Sequence, residues 1–129
     1  MLIMTFAVSA DNELAVYDVT YMVGDSEIHT AAEAAGNTVA VSSSFMPEKG
    51  IAVPNVIIIT AGYVGDRLAC VAYNPYTVSA QNNNYDIIQS KSYSLTVPGG
   101  VTSLNTLFWA PGMKPLSKSI KMSDYSTDN

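Results

Sequence analysis

His29 is the chain's only histidine, so any Ser-His-Asp hydrolysis would have to be assembled around it, with a serine and a carboxylate converging from elsewhere. No G-x-S-x-G elbow accompanies it, and the expectation is a surface histidine in a protein that is not an enzyme. The single cysteine, Cys70, excludes an intrachain disulfide and a cysteine-based metal site. Flanked by Ala69 and Val71, it reads as a small buried hydrophobe. Asp11, Asn12, Asp25, Asp66 and Asp86 carry the hard oxygens that Ca²⁺ prefers, but no D-x-[DN]-x-[DN]-G loop gathers them. They are expected to be solvated turn residues, and no metal or cofactor is expected. No glycine loop of the phosphate-cradling kind occurs.

The chemistry that remains is recognition by aromatic groups. Trp109, the only tryptophan, lies in LFWAPGMKPLSKSI, Leu107 to Ile120, and shares a strand face with Asn105 and Leu107, opposite Leu104, Thr106 and Phe108. If the Leu104 face is inside, the indole lies on the outer sheet surface, able to stack on a sugar ring or a neighbouring module. Tyr73, Tyr76 and Tyr85 stand near or in the polar stretches around Asn74-Pro75 and QNNNYD. Tyrosine supplies flat apolar area with a hydroxyl at low entropic cost. Trp109, Tyr73, Tyr76 and Tyr85 are therefore the candidate ligand-binding residues.

The charge balance narrows the partners. Eleven carboxylates stand against six lysines and arginines, a formal charge of −5, with no basic run. Nucleic acid and anionic membrane surfaces are repelled rather than gripped. Charged residues are only 13% of the chain, about half the usual share, so solubility rests on Ser, Thr, Asn and Tyr, as in many extracellular β-proteins. The start, MLIMTFAVSADNE, ends an apolar stretch with Val8-Ser9-Ala10 and lacks a basic flank. It reads either as the remnant of a signal peptide over residues 1–12 or as a first strand. No run approaches the roughly 20 apolar residues that span a bilayer.

The elements that must position these residues are β-strands. Short runs rich in Val, Ile, Thr, Tyr and Phe are bounded by Gly, Pro, Asn and Asp. Leu14 to Val23 should turn Ala15, Tyr17, Val19, Tyr21 and Val23 inward, and Thr38 to Met46 alternates Val39, Val41, Ser43 and Phe45 against Ala40, Ser42 and Ser44. Val56 to Tyr63 is apolar enough for a central strand. Val64-Gly65-Asp66-Arg67 reverses it into Leu68 to Tyr73. Tyr93 to Val97, Leu104 to Ala110 and Leu116 to Met122 complete the set, and residues 123–129 read as a flexible tail. Thr30 to Ala35, closed by Gly36, predicts at most one helical turn. Turn signals every 8 to 15 residues without βαβ alternation predict a single domain: an all-β, seven- to eight-stranded antiparallel sandwich of immunoglobulin or fibronectin III type.

The succession NVIIITAGYVGDRLACVAY, YSLTVPGGVTSL and LFWAPGMKPLSKSI resembles the Ig/fibronectin type III-like accessory modules of clostridial-type secreted and cell-surface proteins. In that group an apolar run ends in Tyr, a Gly/Asp turn and Arg-Leu. A Val-Pro-Gly segment follows, and an apolar-Trp strand closes with Met-Lys-Pro-Leu. Tyr63, Gly65, Asp66, Arg67, Leu68, Val97, Pro98, Trp109, Met113, Lys114, Pro115 and Leu116 occupy those places, over roughly residues 14 to 122. Where the group carries an acidic residue after the tryptophan, Ala110-Pro111-Gly112 stands here, which leaves the form of that turn open. The resemblance implies a non-catalytic bacterial module, secreted or at the cell surface, acting as spacer, scaffold or protein-interaction domain. Its partners would be other modules or cell-surface components. The alternative is a carbohydrate-binding module that takes neutral glycans on exposed Trp and Tyr.

Overall fold

The computed structural model describes residues 14–47, 55–77, 87–90 and 92–122. The N-terminal segment, the loop containing Tyr85 and the C-terminal tail lie outside the described residues, as do Asp11, Asn12 and Asp86. The strands are β1 (Leu14–Val23), β2 (Ser26–Glu27), β3 (Thr38–Pro47), β4 (Asn55–Val64), β5 (Arg67–Thr77), β6 (Ile88–Gln89), β7 (Tyr93–Thr96), β8 (Ser103–Ala110), β9 (Lys114–Pro115) and β10 (Ile120–Lys121), with one helical turn, α1 (Ala31–Ala34). They form two antiparallel five-stranded sheets. The first has the order β2-β1-β3-β6, with β7 also on β3, and the second the order β10-β8-β4-β5, with β9 also on β8. The fold is an all-β sandwich, and among the described residues the expected seven or eight strands become ten, since short edge strands of two residues stand beside the long ones.

Alternation fixes which side chains meet between the sheets. Val39, Val41, Ser43 and Phe45 are buried along β3, as their spacing predicts, and Val56 and Ile58 on β4 face Leu104 and Phe108 on β8 from the same side. Phe45 joins the layers: its ring centroid lies 5.5 Å from that of Phe108 and 5.9 Å from that of Tyr76, the latter edge-on at 84°. Such contacts add about 0.5–1.5 kcal/mol each beyond the area they bury. Tyr17 departs from expectation. The β1–β3 register shifts between Val16 and Asp18, so Tyr17 is the extra residue of a bulge and is 47% exposed, while Val19 and Tyr21 beyond it are buried.

A chain of hydroxyls also crosses the interior. Tyr21 Oη lies 2.5 Å from Thr106 Oγ1, Thr106 Oγ1 2.9 Å from Thr60 Oγ1, and Thr60 Oγ1 2.6 Å from Tyr93 Oη. The two tyrosines come from the first sheet and the two threonines from the second. Burial pushes the Tyr93 phenol well above the ordinary tyrosine range. Burying four hydroxyls is tolerable only because they satisfy one another.

Two tight turns share one solution. Gly24-Asp25 joins β1 to β2 and Gly65-Asp66 joins β4 to β5, each glycine with φ near +60°, a left-handed value that glycine reaches without the steric cost a side chain brings. Pro111-Gly112-Met113 makes the third bend, with Gly112 at φ 89° and Met113, unusually for a side-chain-bearing residue, at φ 67°. Its return does not form one strand from Leu116 to Met122. Leu116 drops into the core, its N–H on the Phe108 carbonyl at 2.8 Å and its carbonyl on the Leu14 N–H at 3.1 Å. That insertion separates β9 from β10. α1 is held by a capping box: the Thr30 hydroxyl accepts from Glu33 N–H, and the Glu33 carboxylate accepts from Thr30 N–H.

Candidate functional site

The inward set on β8 is Leu104, Thr106 and Phe108, which puts Asn105, Leu107 and Trp109 on the outer face of the second sheet. Cross-strand register builds that face in rows. Pro75, Ile57, Trp109 and Pro115 stand side by side on β5, β4, β8 and β9; Tyr73, Ile59 and Leu107 form the next row; Val71, Ala61, Asn105 and Lys121 the next. Strands about 4.8 Å apart and same-face residues about 6.8 Å apart give a flat, mainly apolar patch on the order of 400 Å². By the same spacings Tyr73 and Trp109 are about 12 Å apart. Tyr73 is 68% exposed and Val71 53%, whereas Trp109, Ile57, Ile59 and Leu107 are half-buried by their neighbours.

The outer face of the first sheet is chemically different. Thr20, Ser42, Ser44, Thr38, Ser94 and Thr96 project from β1, β3 and β7 around Ala40 and Met46, giving the hydroxyl-lined surface that a solvated antiparallel sheet normally presents. Charge is divided in the same way. Among the described residues Asp18, Asp25, Glu27 and Glu33 belong to the first sheet and its connections, while Lys114, Lys118 and Lys121 lie along the β9–β10 side of the second, with Asp66 and Arg67 at its far turn. The acidic chain thus has a locally basic rim.

Beside Trp109 the face dips into an open groove of about 450 Å³ lined by Leu107, Trp109, Pro115, Ser117, Lys118 and Ser119. The lining joins apolar Leu107, Trp109 and Pro115 to Ser117, Lys118 and Ser119, with the Ser117 hydroxyl donating to the Lys118 carbonyl, a combination suited to an amphipathic ring. Of the four aromatic candidates, Trp109 and Tyr73 share this outer face. Tyr76 does not: it packs edge-on against Phe45 between the sheets, because it is three residues past Tyr73 and so has the opposite parity. Tyr85 lies outside the described residues. Ile57, Ile59 and Leu107 were not among the sequence candidates. Their signal was present, since a strand apolar at consecutive positions is apolar on both faces.

His29 and Ser103 line a second cavity, about 340 Å³, with Thr30, Thr102 and Lys121. The nearby Glu33 carboxylate accepts hydrogen bonds from the backbone N–H of His29 at 2.9 Å and of Thr30 at 3.1 Å, and from the Thr30 hydroxyl. The His29 N–H, the largest influence, and the Thr30 groups hold its pKa below the usual carboxylate value. The carboxylate is thus occupied in capping α1. Cys70 is half-buried rather than buried, and burial raises its thiol pKa. Among the described residues no group of three or more His, Cys, Asp or Glu could hold a metal ion, and no helix is long and apolar enough to cross a membrane. No protein-family model matches the chain, and no curated protein matches it.

Proposed function

We propose that the chain is a non-catalytic β-sandwich module, a spacer and interaction domain of a secreted or cell-surface bacterial protein, whose contact surface is the outer face of β4, β5 and β8. The observation that carries this reading is the contrast between the two outer faces: hydroxyls on one sheet, and Ile57, Ile59, Leu107, Trp109, Val71 and Tyr73 on the other. An uncharged apolar centre within a patch on the order of 400 Å², with lysines and serines at its rim, has the composition of a recognition patch. The secreted setting rests on the charge-poor composition and the motif resemblance. Native protein should bind the apolar dye anilinonaphthalene sulfonate, and Ile59→Ser or Leu107→Ser should remove most of that binding at unchanged circular dichroism. A native state that binds no dye, with binding appearing only on unfolding, would refute the reading.

The groove beside Trp109 favours a second reading, binding of neutral glycans. The indole and Pro115 supply a surface for the apolar face of a sugar ring, and Ser117, Lys118 and Ser119 supply partners for its hydroxyls. Affinity electrophoresis through gels containing neutral polysaccharides separates the two readings. Retention abolished by Trp109→Ala supports the glycan; unretarded migration through every gel, with dye binding intact, leaves the protein-contact reading.

A further inference from the structure

The ends of the two sheets are treated differently. At three of them the outermost strands are short: β2 with two residues including Glu27; β6 and β7 with two and four; β9 and β10 with two each, carrying Lys114 and Lys121. Short and charged strands guard against pairing with other chains, as do edge prolines and bulges; β5 has Pro75 and the extra residue Ala69, but between them a regular, uncharged stretch from Cys70 to Asn74. The fourth end is β5, the longest strand at 11 residues, RLACVAYNPYT, whose one charge is Arg67 at its first position. Among the described residues β5 pairs with β4 alone. It also carries Leu68, Val71 and Tyr73, which are 59%, 53% and 68% exposed.

Pro75 shows which way its backbone faces. Proline has no N–H for a ladder, so within an edge strand its nitrogen turns to the open side. The β4–β5 register is unbroken from Gly62–Cys70 to Asn55–Thr77. Tyr73 and Val71, two and four residues before Pro75, therefore direct their N–H and C=O groups outward as well.

We propose that β5 pairs with β5 of a second copy, antiparallel about a two-fold axis at Ala72, joining the second sheets of two protomers edge to edge. This goes beyond the interaction module in naming a partner, and it uses the strand's edge rather than the flat face. About that axis Cys70 lies opposite the partner's Asn74 and Val71 opposite the partner's Tyr73, a β-branched and aromatic pair of the favoured kind; the register shift that leaves Ala69 as an extra residue ends the regular ladder before Arg67. The two Arg67 side chains are then about 34 Å apart, where a parallel pairing would set them side by side. An edge of 11 residues, about 37 Å long and about 10 Å deep, buries roughly 370 Å² per copy. A stable dimer needs about 800 Å² per copy. The dimer is accordingly weak, with a dissociation constant between micromolar and millimolar.

Sedimentation equilibrium of the full chain in reductant, at rising concentration, tests this. A reversible monomer–dimer equilibrium is expected. Val71→Lys, which adds a gatekeeping charge at an exposed site, and Tyr73→Pro, which deletes one outward N–H, should each raise the dissociation constant at least about tenfold. Trp109→Ala should change it less than about threefold. Val71→Lys is decisive, with circular dichroism as its fold control, because proline at 73 strains the strand. A monomer at every concentration, or a dimer that Val71→Lys leaves intact, overturns the proposal. So does a dimer that Trp109→Ala weakens as much as Val71→Lys, because that places the contact on the flat face. Loss of dye binding with the dimer retained would instead refute only the face.

Discussion

Replacing Thr60 by valine deletes the hydroxyl that holds two of the three links in the buried chain, those to Tyr93 at 2.6 Å and to Thr106 at 2.9 Å. Shape is nearly preserved, so the change measures hydrogen bonding rather than packing. Two lost bonds cost about 1 kcal/mol each, and a stranded buried hydroxyl a further 1–3 kcal/mol. Thr106 keeps Tyr21, so the stranded group is the Tyr93 phenol. The added methyl returns somewhat under 1 kcal/mol of transfer free energy, leaving a net loss of about 2–4 kcal/mol. With a urea slope of about 2 kcal/mol/M, the unfolding midpoint should fall by about 1–2 M at unchanged slope. Tyr93→Phe added to Thr60→Val should cost under about 0.5 kcal/mol, because its hydroxyl is already without a partner. A Thr60→Val midpoint within experimental error of wild type, or strictly additive single and double variants, would refute the idea that the hydroxyl chain ties the sheets.

The same phenol predicts an alkaline limit. Its folded pKa is raised by burial above the ordinary tyrosine value of about 10, so its contribution is complete below about pH 10 and is lost as pH climbs from there toward the folded value, at about 1.4 kcal/mol per pH unit. Tyr93→Phe should flatten the stability profile between about pH 10 and 11; an unchanged slope would sink this assignment. Gly62→Ala should destabilise by about 1–3 kcal/mol through overpacking, since a Cβ there would meet Cys70 Sγ at 2.6 Å and Leu104 Cδ2 at 3.0 Å. Cys70→Ala should recover part of that loss in thermal unfolding, and no recovery would mean that Leu104 or the backbone sets the limit.

Much of the sandwich was legible because period-two alternation is a local signal. Val39, Val41 and Phe45 announce an inward face wherever β3 pairs, and the two Gly-Asp turns announce hairpins because only a positive φ closes them. What escaped was set by distant partners. Parity alone turns Tyr17 inward because it carries no notice of a bulge, which appears only when Val16 and Asp18 find Phe45 and Ser44 on β3. Leu116 to Met122 alternates like one strand, yet Leu116 is claimed by the core and by the backbone of Phe108 and Leu14. Asn74-Pro75 read as a break, but β5 continues to Thr77 because at an edge a proline nitrogen can face outward.

The candidate surface was half legible for a related reason. Alternation fixes the parity of Trp109 but not the inner face of β8, because LNTLFWA has apolar residues on both sides. That ambiguity is itself the physical signal. β4 and β8 each carry aliphatic or aromatic residues on two faces, and in an antiparallel sandwich only one of those faces is consumed by the partner sheet. Thr60 and Thr106, the hydroxyls of this pair of strands, face inward, where Tyr21 and Tyr93 satisfy them, while Ile57, Ile59, Leu107 and Trp109 face out. A chain selected for stability alone would place those groups the other way round, since apolar burial needs no geometric match and a buried hydroxyl does. The inner hydroxyls satisfy one another, so the cost of the inversion falls chiefly on the outer apolar groups, and the interface proposed for that face would recover it.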